Sequence, residues 1–129
     1  MNIIIKLLIG VIALIHFGVL DLEMFFWSNP LVQSKFQTFT SEELAAILAG
    51  NQGLYNGFLA AGLIGGLLEK QKSFSIWVFF LSCIAIAGIY GSFSLGRLTA
   101  LVIQTVPAIL ALLLLIINCG ATETVNSQG

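Results

Sequence analysis

The chain has 129 residues, of which 58% are hydrophobic and only 9% charged, and its formal net charge is −1. A soluble domain of this size has too little interior to hide so much apolar surface, and its charged share would be nearer ~25%. A mean hydropathy of +1.03 points to lipid as the solvent, and the absence of any basic run among five basic and six acidic residues excludes nucleic acid as a partner.

A transmembrane helix needs ~20 mainly apolar residues. Residues 3–26 meet that need and predict a first span. Lys6 before an apolar run resembles the start of a signal peptide, but the run is too long and lacks a small-x-small cleavage site, so it reads as a retained span. Phe25, Phe26 and Trp27 lead to Asn29-Pro30, which should end the helix within an interfacial aromatic belt.

Residues 28–40 read as the longest loop. Thr40-Ser41-Glu42-Glu43 offers a capping box for a second span over about 43–68. Glu69 to Ser73 is a polar turn, and residues 74–94 form the third span. After a turn at Ser94 to Arg97, residues 98–118 form the fourth. Pro107 lies inside it and should kink the helix, freeing a carbonyl near Ile103. Residues 120–129 read as a disordered polar tail. The expected architecture is therefore all-α, a single-domain transmembrane four-helix bundle.

Four spans put both termini on one side, with Lys6, Lys70 and Lys72; Lys35 and Arg97 fall on the other. The balance favours a cell-membrane protein with cytoplasmic termini. Cys83 and Cys119 form no CxxC pair and read as small apolar residues. No metal site and no cofactor are expected.

The second span is unusual. Ala45, Ala49, Gly53, Gly57, Ala61 and Gly65 are spaced four apart, and Gly62 and Gly66 add a second pair. Small residues at this spacing let helix backbones approach closely in lipid. The span should be the tightly packed central helix, and a dimer contact is the sharper reading of the same stripe. Asn51, Gln52, Tyr55 and Asn56 fill an arc of about 140° that is expected largely opposite the stripe.

Polar residues at membrane depth are costly and tend to face the bundle interior or a cavity. Eight stand out: His16, Glu23, Asn51, Gln52, Tyr55, Asn56, Tyr90 and Gln104. All fall at mid-depth or in the half of the bilayer away from the termini. His16 and Glu23 are seven apart, so they share a face but lie ~10 Å apart along the axis, and a third group must bridge them.

These residues also resemble a known pattern. His16, Leu22-Glu23-Met24-Phe25, Trp27, Asn51-Gln52-Gly53-Leu54-Tyr55-Asn56-Gly57, Gly88-Ile89-Tyr90-Gly91, Gln104 and Pro107-Ala108 resemble the bacterial and fungal membrane protein family called domain of unknown function 1304. The resemblance covers nearly the whole chain. It implies a small multi-pass membrane protein with no assigned activity. The architecture is also loosely similar to DoxX-like four-helix membrane proteins.

Three functions compete. The first is a pocket that binds or transports a small molecule or a proton, where four thin spans would call for a homodimer. The second is a structural or partner subunit whose polar groups only hold the bundle. The third is a membrane enzyme acting on a lipid-soluble substrate, with His16 and Glu23 as acid and base. No nucleophile motif or nucleotide loop supports a particular reaction.

Overall fold

A computed structural model describes residues 2–33, 42–96 and 98–126. The chain is an all-α transmembrane four-helix bundle. The long helices are α1 (Ile3–Met24), α3 (Glu42–Leu68), α4 (Ser73–Leu95) and α5 (Val106–Asn126), the last preceded by a π-helical turn at Leu101–Thr105. A four-residue helix, α2 (Pro30–Gln33), follows α1. Three segments are long and apolar enough to cross a membrane on their own: Ile3–Met24, Ser73–Leu95 and Leu101–Cys119. The amides and glycines of α3 make it the least greasy of the four.

Local chemistry accounts for the helix ends. Asn2 Oδ1 accepts the Ile4 N–H at 3.0 Å and caps α1. Asn29 Oδ1 accepts the Leu31 N–H at 2.9 Å, and Pro30 takes the first helical position, where its missing N–H is harmless. This turn of helix lies where sequence reasoning expects loop. Glu69 accepts the N–H groups of Lys70 and Gln71 at 3.0 and 2.9 Å, tightening the turn into α4. Those donors, Gln71 foremost, hold its exposed carboxyl below the usual range. Gly96 closes α4 in the left-handed region, at φ 62°. The Thr40 capping box, Lys35 and Arg97 lie outside the described residues.

The helices run up and down in chain order, and α5 returns to touch α1. On α1 the buried positions are Ile5, Ile9, Ile12, Ala13, His16 and Glu23, and all but Ala13 follow one seam from Ile5 to His16 and on to Glu23. The opening steps of four, three and four are the spacing of a seam between helices crossing at about 20°. The matching α3 positions are Ala45, Ala49, Gly53, Asn56, Ala60, Leu63 and Gly66. Glycines set the distance at three places. A Cβ on Gly53 would fall 3.1 Å from the Leu20 carbonyl and 2.6 Å from Met24 Cγ. One on Gly66 would strike the Trp77 indole, and one on Gly88 would lie 3.0 Å from the backbone at Ala100 and Thr105.

Three expectations differ from the structure. The four-residue stripe of α3 is not one packing face. At 3.6 residues per turn such a stripe rotates about 40° per step, so Ala45 and Ala49 are buried while Ala61 and Gly65 face outward. Nor do the amides lie opposite the packing face, because Asn56 sits in the middle of it. The fourth helix also runs past the expected end at 118 into the region expected as a disordered tail, reaching Asn126; of that tail, residues 127–129 lie outside the described residues. No proline interrupts it there, and Gly120 alone does not stop a helix.

Pro107 has a local consequence. The backbone before it widens into the π turn, with the Val106 N–H reaching Leu101 O. Ser92 Oγ accepts the Leu101 N–H at 2.7 Å, and Thr105 Oγ1 donates to Ala85 O at 3.1 Å. Bonds from α4 thus support a turn whose own ladder is irregular.

Candidate functional site

The interior carries two separate apolar clusters. The large one includes Ile5, Ile9, Ile12, Leu63, Trp77, Leu81, Ile84 and Leu115. The small one, at the end away from the termini, holds Trp27, Ala45 and Ala49. Between these two levels on the α1–α3 seam lie His16, Asn56 and Glu23, which are 1%, 8% and 8% exposed.

The three side chains form one chain of hydrogen bonds. Asn56 Nδ2 donates to Glu23 Oε2 at 3.1 Å and to the Gln52 main-chain carbonyl, one turn back in its own helix, at 3.0 Å. A carbonyl can only accept, so the second bond settles which end of the amide is the NH2. Asn56 Oδ1 therefore faces His16 Nδ1, at 2.7 Å. That oxygen can only accept as well, so Nδ1 carries the hydrogen and donates. Asn56 is the bridge that the spacing of His16 and Glu23 requires. Both of its donor hydrogens and its acceptor are in use.

The other imidazole nitrogen is in a different position. His16 Nε2 is buried and has no hydrogen-bond partner among the described residues. With Nδ1 protonated, Nε2 of the neutral ring is a bare acceptor. A buried polar atom left in this state costs about 1–3 kcal/mol, and such exceptions in native structures call for an explanation.

The other five polar residues are not gathered with these three. Asn51 turns back to its own helix, donating to Ile47 O at 3.1 Å on the exposed side. The Gln52 side chain is exposed, and only its carbonyl joins the chain. Tyr55 is 60% exposed and stands edge-on to Phe58. Tyr90 is 74% exposed, and Gln104 is half-buried in the π turn. The physical reason is rotation: Asn51 and Asn56 are five residues apart, which turns them ~140° from each other. A groove on the outside of α1, around Gly10 and Leu14, is lined by none of the eight.

Buried polar groups that the sequence reading passed over include Thr105, Ser73 and the Trp77 indole, which donates to Leu63 O at 3.2 Å. The signal for Thr105 was a threonine within an apolar span, two residues before a proline.

The family model for a protein of unknown function, DUF1304, matches residues 10–116. The chain belongs to the DUF1304 family. The match spans His16, Glu23 and Asn56, and the two helices that carry them, from residue 10 onward. No curated protein and no solved structure matches this DUF1304 chain.

Proposed function

We propose that this DUF1304 chain binds a proton or a small hydrogen-bond-donating molecule in its distal polar half, and passes it across the bilayer. The observation that carries this reading is His16 Nε2, a buried acceptor on a ring whose other nitrogen is already held by Asn56. Asn56 and Glu23 orient that ring, and Glu23 supplies the one carboxylate within the bonded chain. On this reading α3 is the fourth crossing of the cell membrane. The termini lie in the cytoplasm with Lys6, Lys70 and Lys72. The outward-facing Asn51, Gln52, Tyr55 and Tyr90, with Gln104 nearby in depth, form the surface that a second copy covers.

A structural reading is favoured by one observation: the three residues sit on the α1–α3 seam, where a buried asparagine can key the register of two helices. Liposomes separate the two. Wild-type protein should dissipate an imposed pH gradient faster than empty vesicles. His16→Gln retains a donor for Asn56 but no basic nitrogen, so it should fold and fall to the empty-vesicle rate. Equal rates for wild type and empty vesicles, together with unchanged melting across pH and with ammonium or small amines, would leave only the register role.

A further inference from the structure

A second site lies on the opposite half of the molecule. The groove outside α1 has a volume of about 390 Å³ and runs from Lys6 to Phe17. Leu7, Val11, Leu14 and Phe17 wall it, and Ile64 of α3 lines it from the neighbouring helix. Its hollow comes from two small residues: Ala13, which is buried, and Gly10, where an added Cβ would meet nothing within 4 Å. Lys6 is the only charged residue among those that line it, and no ion pair holds it among the described residues.

We propose that this groove seats one acyl chain of an anionic phospholipid, with the lipid phosphate on Lys6. Two dimensions match. Eleven residues of helix span about 16 Å, and half of a ~30 Å hydrocarbon core is about 15 Å, so the groove is one leaflet deep. The charge lies at its outer end, where a headgroup would sit and where a lysine reaches the interface. Lys70 and Lys72 stand at the same end of the bundle, since α3 returns there, and they outnumber Glu69 beside them, whose hydrogen-bonded carboxylate keeps its charge. Among the side chains at that end, Lys6, Lys70 and Lys72 stand against Glu69 and Glu123, a formal balance of +1. An anionic headgroup is thereby favoured over a zwitterionic one.

The experiment is native mass spectrometry of full-length protein released from nanodiscs of equal phosphatidylglycerol and phosphatidylcholine. Wild type should retain one phosphatidylglycerol in preference to phosphatidylcholine. Lys6→Gln should reduce that preference about fivefold. Gly10→Leu, which fills the hollow and raises helix propensity, should abolish retention. Gly18→Leu, the same change at an equally open glycine beyond the groove lining, should leave retention unchanged. Equal retention of both lipids by wild type, or retention by Gly10→Leu matching wild type, overturns the proposal. Helix content by circular dichroism verifies that each variant is folded, and Lys6→Gln alone decides the headgroup claim.

Discussion

Asn56→Leu should destabilise the bundle by about 2–6 kcal/mol, because it orphans two buried groups at about 1–3 kcal/mol each. The His16 Nδ1–H and the Glu23 carboxylate both lose the partner they share. Gln52 O keeps its own helical bond, so it adds little. Interhelical hydrogen bonds in membranes average only ~0.6 kcal/mol. That figure describes pairs whose unfolded state finds other partners; here the folded state itself keeps two unpaired polar groups on a packed seam. The matching change at Asn51 should be close to neutral, since Asn51 bonds only to its own helix on an exposed face. Unfolding in a denaturing detergent titration, followed by circular dichroism, gives both values. Equal losses at the two positions would mean that Asn56 holds nothing that Asn51 does not.

Trp77→Ala should cost about 3 kcal/mol. Trp77 is fully buried, donates to Leu63 O at 3.2 Å and presses on Gly66. In soluble proteins this truncation costs ~3–5 kcal/mol, part of it from transferring the ring into water. In lipid that transfer term largely disappears and the cavity term remains, which places the expectation at the lower end. Trp77→Phe keeps most of the volume and loses only the N–H, so it should cost about 1 kcal/mol. The same detergent titration reads both. A loss for Trp77→Phe as large as for Trp77→Ala would show that the indole bond, not the packing, fixes α3 against α4.

The fold was legible because lipid leaves few options. Each backbone polar group must be paired within its own segment, so apolar stretches of the right length become helices. The expected first, second and third spans end within two residues of α1, α3 and α4. His16, Glu23 and Asn56, three of the polar residues that stand out in the sequence, are buried together on the α1–α3 seam. What composition does not contain is which amide faces inward. Asn51, Gln52, Tyr55 and Asn56 are alike in polarity and adjacent in sequence. Only the pairing of α3 with α1, through Gly53 and Gly57 against Leu20, selects Asn56. The small-residue stripe misled for the same reason. A strict four-residue period drifts off a seam whose mean step is nearer ~3.5 residues. The π turn was also hidden, since Pro107 foretells a disturbed helix but not its form.

In the proposed function Asn56 fixes the tautomer of His16 and leaves Nε2 to receive a proton or donor. His16 is the only histidine in the chain, so protein labelled with ¹⁵N-histidine in lipid bilayers gives one imidazole pair to resolve by solid-state NMR. At neutral pH the spectrum should show a protonated Nδ1 and an unprotonated Nε2, with Nε2 alone changing as the sample is acidified. Asn56→Leu should release the tautomer preference. A protonated Nε2 beside a bare Nδ1 at neutral pH, or a spectrum that Asn56→Leu leaves unaltered, would contradict it.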